Sequence, residues 1–227
     1  MIDLHTHTLF SDGVLSPSEL VYRAKRYGYT AIAITDHVDH SNMDFVISRI
    51  AKLAKILTEN YGIFVLPGAE LTYVPPRLIR EVSCECKALG AKVVLVHGET
   101  IEEVVPEGTN LAAVEAKIDI LAHPGHLSDE VALLAAKNDV KIEITTKSKH
   151  GITNKEVAQI ALKNKAKLVI NTDTHEPENL LTKRLVAKVL SDAGLYVDFF
   201  DDMQKNSLEL VNKGDCKNAK QFFKKNS

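Results

Sequence analysis

Residues 91–125 read AKVVLVHGETIEEVVPEGTNLAAVEAKIDILAHPG. Two short apolar runs, "AKVVLVH" and "IDILAH", flank a helical stretch over residues 110–116, and both runs end on a histidine, His97 and His123. A run of Val, Leu, Ile and Ala without polar alternation fits a strand buried on both faces, and such strands separated by amphipathic helices predict a parallel sheet. Parallel strands joined by crossover helices all finish at one edge, so His97 and His123 are expected on the same rim.

The same unit repeats in both directions. "MIDLH", "TAIAITD" and "GIFVLPG" precede it, and "VKIEIT" and "AKLVINTD" follow, which makes seven candidate strands. Helical patterns lie at residues 17–27, 42–61, 76–89, 110–116, 128–138, 154–164 and 177–190. Ser16 before Pro17 with Glu19, Thr153 before Asn154 with Glu156, and Ser128 with Asp129 and Glu130 supply start signals, while Gly28, Gly62 and Gly90 stand where a helix stops. Seven βα units without a compositional break predict an α/β fold closed, or nearly closed, into a barrel; an open doubly wound sheet is the alternative. The rhythm ends after Leu190, and "YVDFF" with the Lys-rich stretch from Asp202 to Ser227 predicts one or two helices packed on the outside. The expected organisation is one domain over residues 1–227, a barrel core over about 1–190 and a helical tail over about 191–227.

Composition narrows the class. The 227 residues are 45% hydrophobic and 26% charged with no Trp, which supports a sizeable core and excludes a disordered or fibrous chain. A formal net charge of −2 argues against a dedicated nucleic-acid binder, because neutralising many phosphates needs a basic excess. The chain opens directly on a strand and holds no apolar run of membrane-spanning length, so a cytoplasmic protein without a membrane partner is expected. Cys84, Cys86 and Cys216 form an odd set without a CxxC, which predicts reduced thiols instead of a disulfide framework or a zinc knuckle.

The histidines carry the chemistry. Of nine, at positions 5, 7, 37, 40, 97, 123, 126, 150 and 175, six lie at strand ends or just beyond: His5, His7, His37, His97, His123 and His175. Glu70 follows the third strand, Asp173 the seventh, and Asp12 lies in the Ser-Asp-Gly turn after the first. In a barrel these nine side chains converge on one rim, where so many buried polar groups would be left unpaired without a cation. Imidazole and carboxylate donors without thiolate suit Zn, Mn or Fe, and the period-two spacing of His5 and His7 directs both rings to one side. Nine ligands exceed the needs of one tetrahedral ion, so two or three divalent ions are expected, with Glu70 placed to bridge.

The strings "HTHTLFSDG", "ITDHVD", "PGAEL", "VHGE", "ILAHPG" and "NTDTH", in this order, resemble the PHP (polymerase and histidinol phosphatase) family from His5 to His175. The resemblance implies a distorted seven-stranded (β/α)7 TIM-like barrel holding up to three metal ions at the C-terminal ends of its strands. It implies further that His5, His7, Glu70 and Asp173 hold the first ion, Asp12, His37 and His175 the second, and Glu70, His97 and His123 the third. Phosphatases of this family often place an arginine near the phosphate; the segment after the sixth strand, "TTKSKHG", offers Lys147, Lys149 and His150 instead. These three and Arg77 are the candidate substrate contacts. His40 and His126 are expected to be exposed or behind the ligands, and Asp36 to orient an imidazole.

No P-loop, GxSxG elbow or HExxH helix occurs, so no protein nucleophile is expected and bound ions would activate water for attack on phosphorus. The leading expectation is hydrolysis of a small phosphate monoester, with Asp12, Glu70, Asp173 and His175 as catalytic residues and histidinol phosphate as the analogue the family offers. Three alternatives remain open. A phosphodiesterase or nuclease acting on nucleotides or nucleic-acid ends is disfavoured by the near-neutral charge and the lack of an aromatic-basic groove. An amidohydrolase is disfavoured by His97 standing where a bridging Lys would be needed. A non-catalytic regulatory module is disfavoured by the complete ligand set.

Overall fold

The apolar runs form strands because each offers side chains to two apolar surroundings at once. In the computed structural model, which describes residues 1–226, seven parallel strands make a nearly closed barrel flanked by helices. The elements are β1 (Ile2–Asp3), α1 (Pro17–Arg26), β2 (Ala31–Ile34), β3 (His37–Val38), α2 (Met43–Tyr61), β4 (Phe64–Leu71), α3 (Ile79–Leu89), β5 (Val93–His97), α4 (Thr109–Ala116) and β6 (Ile120–Ala122). There follow α5 (Asp129–Asn138), β7 (Lys141–Thr145), α6 (Asn154–Lys163), β8 (Leu168–Asn171), α7 (Lys183–Asp192), α8 (Phe199–Gly214) and α9 (Cys216–Asn226). Strand order is β1-β2-β4-β5-β6-β7-β8, with the short β3 pairing only with β4 through His37 and Glu70.

Closure rules out the open sheet. Thr6 bridges Thr174, and the His7 N–H donates to the Thr174 carbonyl at 2.8 Å. The rest of this seam is made by side chains: Asp3 accepts from the Thr172 N–H and hydroxyl at 3.2 and 2.6 Å, and the Leu4 N–H donates to Asn171 Oδ1 at 2.9 Å. Along the strands, Ile32, Ile34, Val65, Val94, Val96, Ile142 and Ile144 face the helices, while Ala31, Ala33, Phe64, Leu66, Val93, Leu95 and Val169 fill the barrel's lower interior.

Most helix signals act as the sequence suggests, but Thr153 makes no side-chain cap for α6, and one expected helix is broken. Ser16 caps α1 by accepting from the Glu19 N–H at 3.3 Å, and Gly62 and Gly90 end α2 and α3 in left-handed conformations. The helix expected over 177–190 is divided: a 3-10 turn covers Pro177–Asn179, and α7 starts only after Thr182. Between them Leu180 and Leu181 are buried, and the Leu181 N–H donates to the Tyr29 hydroxyl, so core packing outweighs helix continuation. Cys86 is buried and Cys84 exposed, both as free thiols, while the side chain of Cys216 lies outside the described residues. Among the described residues no helix is long and apolar enough to cross a membrane.

The tail departs from expectation in its location. Instead of packing around the outside, α8 and α9 cover the barrel's N-terminal mouth: Gln204 exchanges hydrogen bonds with the Ile2 backbone, and Asn206 donates to the Leu168 carbonyl. Leu210, Val211 and Ala219 join the interior cluster, and Phe222 packs on Phe64 with ring centroids 5.5 Å apart. The reason is apolar area, since the inward residues at the strand starts would otherwise face water. Leu210→Ala is therefore expected to lower stability by about 2–5 kcal/mol in urea unfolding while leaving the opposite rim, and its metal content, unchanged.

Candidate metal centre

The nine candidate ligands meet at the C-terminal rim. Strand alternation brings Glu70 inward in line with Phe64 and Leu66, and His97 in line with Val93 and Leu95. His123 follows inward-facing Ala122 directly, so alternation would turn it outward; a positive φ of 24° at His123 accompanies its turn back into the mouth. Asp173 also has a positive φ, 52°. In "HPG", Gly125 is required by space as well as by conformation, because a Cβ there would stand 1.9 Å from the Glu99 carbonyl oxygen.

Glu70 is the hub. Its Oε2 lies 2.9 Å from His37 Nδ1, 3.2 Å from His5 Nε2 and 3.5 Å from His7 Nε2, and its Oε1 lies 3.5 Å from His123 Nε2. Asp173 Oδ1 stands 3.1 Å from His7 Nε2 and 3.7 Å from His5 Nε2. Nearer solvent, Asp12 Oδ2 lies 3.0 Å from His175 Nε2 and Asp12 Oδ1 3.6 Å from His37 Nε2. His97 and His123 stand with ring centroids 4.5 Å apart.

Two tests favour a cation among these residues. Among the described residues, nine buried side-chain atoms have no hydrogen-bond partner, on His5, His7, Glu70, His123, Glu143 and His150, at the rim or just behind it. Spacing agrees: Zn–N and Zn–O bonds of about 2.0–2.1 Å in a tetrahedron put donors roughly 3.3 Å apart. The imidazole–carboxylate distances among His5, His7, Glu70 and Asp173 are 3.1–3.7 Å. Donor sets that could hold an ion are His5, His7 and Glu70; His5, His123 and Asp173; His7, Asp12, His37 and His175; and His97, His123 and His150.

The electrostatics show what a cation would replace. Burial works to neutralise His5, but Glu70, Glu143 and Asp173 together hold its imidazolium well above the usual range. Burial likewise opposes charge on Glu70 and Asp173, yet neighbouring histidines, His5 foremost, keep both carboxyls well below theirs. His37 is raised to about 9 by Glu70 and Asp12 against its burial, whereas burial and the charge of His37 push His7 down to about 3. Protons thus occupy part of the role that ligated ions would take.

Several contributors were not foreseen. Glu143, fully buried on β7, accepts from His5 Nδ1 at 2.9 Å and from Asn171 at 2.9 Å, which fixes the His5 tautomer and leaves Nε2 for the centre. Its signal was present in "VKIEIT", where charged residues alternate with Ile142 and Ile144. Asp3 at the seam is pushed up to about 6 by burial, offset in part by its bonds from Thr172 and His5. Thr72 Oγ1 lies 2.6 Å from His37 Nδ1, and Glu103 Oε2 lies 3.4 Å from His97 Nε2. Asp36 acts differently from expectation: its carboxylate accepts from the Thr8 N–H and the Thr8 and Ser11 hydroxyls at 2.7–2.8 Å, so it fixes the loop after β1 instead of an imidazole.

The candidate substrate contacts separate. Lys147 Nζ reaches into the mouth, 3.2 Å from Asp173 Oδ2 and 3.0 Å from His175 Nδ1. Lys149 faces solvent and pairs with Glu102 at 2.7 Å, and Arg77 is exposed on a 3-10 turn over Pro76–Leu78. His150 is buried beside His97 and His123. His40 is exposed, and His126, also exposed, pairs with Glu156 at 3.0 Å.

Comparison with known proteins places the chain in a family. Residues 3–181 match the family model described as PHP domain. The uncharacterized protein MJ1295 of Methanocaldococcus jannaschii is 47% identical over 196 residues, covering 85% of this chain and 89% of that protein. A chain in the cryo-EM structure of archaeal ribonuclease P with mature tRNA superimposes with a TM-score of 0.72 at 17% identity, covering 95% of this chain and 91% of that one. Histidinol phosphate phosphatase from Lactococcus lactis, solved with zinc, L-histidinol and phosphate, gives a TM-score of 0.61 at 16% identity over 86% of this chain and 94% of that one. With the model matched across most of its length and the ligand motifs gathered at one rim, the chain belongs to the PHP domain family.

Proposed function

We propose that this protein is a metal-dependent phosphoesterase whose substrate is a small phosphate monoester. The observation that carries the reading is the set of unpartnered imidazole and carboxylate atoms spaced as an ion's ligands at a rim open to solvent, with one lysine ammonium at its edge. Divalent ions held there supply an acidified water at neutral pH and neutralise the charge that grows on phosphoryl oxygens. The reading takes residues 1–227 as a single PHP domain, barrel core about 1–190 and tail about 191–227.

The chain's own residues divide the work. His5, His7, Glu70 and Asp173 would hold one ion, Asp12, His37 and His175 a second, and Glu70 with His97 and His123 a third. Asp12, with 56% of its side chain exposed, and His175 form the outer lip where substrate arrives first. Lys147, 30% exposed, presents its ammonium beside Asp173 and His175, where it would bind and orient a phosphoryl oxygen. A point charge suits a terminal phosphate approached from one side, and no arginine fork stands beside it to fix the phosphate's rotation. Glu143 acts through His5, holding the ring in the tautomer that turns Nε2 to the centre.

Three outcomes are expected. Chelator dialysis abolishes activity against a panel of phosphate monoesters, Mn or Zn restores it, and monoesters turn over faster than diesters; a metal-loaded protein inert across the panel would refute the assignment. Glu143→Gln weakens metal binding by about 10–100-fold with the fold retained, read by competition with a chromogenic chelator and by circular dichroism. Lys147→Ala raises KM for the monoester by at least about tenfold, as expected for losing a charge-assisted hydrogen bond, and Lys147→Arg recovers part of it.

A further inference from the structure

His150 is better explained as a ligand than as a substrate contact. It begins a 3-10 turn, His150–Thr153, that follows β7, in the segment where a phosphate-binding side chain would be sought. The turn is folded back firmly: Asn154 Nδ2 donates to the Thr145 carbonyl at 2.8 Å, and the Gly151 N–H donates to the Lys147 carbonyl at 2.8 Å. Gly151 is needed there, since a Cβ would come within 2.9 Å of Asn154 Nδ2. The result is that His150 points inward, with 7% of its surface exposed, while Lys149 beside it points out to Glu102.

Inside, its neighbours are imidazoles. The His150 ring centroid is 4.6 Å from that of His123 and 5.8 Å from that of His97, both edge-to-face, and one ligating nitrogen from each of the three lies within 4.8 Å of the others. His97 Nδ1 donates to the Gly98 carbonyl at 3.1 Å, so its other nitrogen, Nε2, 3.4 Å from Glu103 Oε2, is the one available to a cation. Both nitrogens of His123 and Nδ1 of His150 are buried without a hydrogen-bond partner. The three rings do not hydrogen-bond one another, so the buried nitrogens of His123 and His150 are left desolvated and unanswered. A phosphate oxygen could pair only with a ring N–H, whereas a cation takes up the lone pairs.

We infer that His150 is a metal ligand, completing with His97 and His123 a nitrogen-rich site for a borderline cation such as Zn2+, to which Glu70 Oε1 and Glu103 are the nearest carboxylates. This rests on the metal-centre reading above and changes its third position from two imidazoles to three. The Lys147 ammonium then remains as the one side chain of "TTKSKHG" directed at substrate.

The test is metal binding and not turnover. Chelator-treated full-length protein is titrated with Zn2+, and bound metal is counted by elemental analysis after gel filtration. His150→Gln should lose one equivalent, or bind it at least about tenfold more weakly, as His97→Gln does, while Lys149→Ala keeps the wild-type count. If His150→Gln fails to fold, the wild-type protein still decides: side-chain 15N resonances of His97, His123 and His150 should move together during one Zn2+ equivalent. Wild-type metal content and affinity in a folded His150→Gln, or a His150 resonance unmoved while that of His97 shifts, would overturn the inference and leave the metal centre standing. A wild-type protein that takes up no Zn2+ would bring down both.

Discussion

Glu70 is a fully buried carboxylate whose oxygens face the imidazoles of His5, His7, His37 and His123 at 2.9–3.5 Å. A charge so enclosed is stable only if other charge comes to it, and the barrel is arranged to bring that charge from five places in the chain. The segment after β1 delivers two imidazoles, β3 a third, the turn after β6 a fourth, the segment after β7 the Lys147 ammonium, and the turn after β8 Asp173 and His175. Without parallel strands ending on one rim, none of these groups would be neighbours.

The molecule separates two kinds of interior. Below the rim, the barrel is filled by small and branched apolar side chains and sealed by α8 and α9; at the rim, almost every inward side chain is polar. Glu143 marks the boundary, with one oxygen engaged by His5 and Asn171 and the other unpartnered. Positive φ at His123 and Asp173 shows backbone strain held at two residues that face the centre, which the surrounding packing sustains. Among the described residues, the unpartnered buried polar atoms thus gather at one end, and the apolar packing of the barrel interior at the other.

Closure of the barrel depends on polar side chains more than on strand pairing. β1 pairs with β2 through only two residues, and its other side is joined to β8 by Asp3, Thr172, Asn171 and a single bridge at Thr6. This seam carries the His5-Thr6-His7 segment, so the groups that close the barrel also set the position of the ligands.

Much of this was written in the order of residues. Continuous apolar runs ending in His97 and His123, and PGAE ending in Glu70, point to a parallel sheet with donors at one edge, because side-chain alternation and strand direction are local properties of the chain. Which donors share a position is not local. His5 faces the interior directly after inward Leu4, and His123 directly after inward Ala122, each against simple alternation. His150 lies in a loop, and the tail's path across the lower mouth follows from apolar area that only the closed barrel exposes. Sequence determined which chemistry gathers and on which rim. Tertiary structure decided how the rings turn, since that depends on closure and on space left by residues distant in the chain.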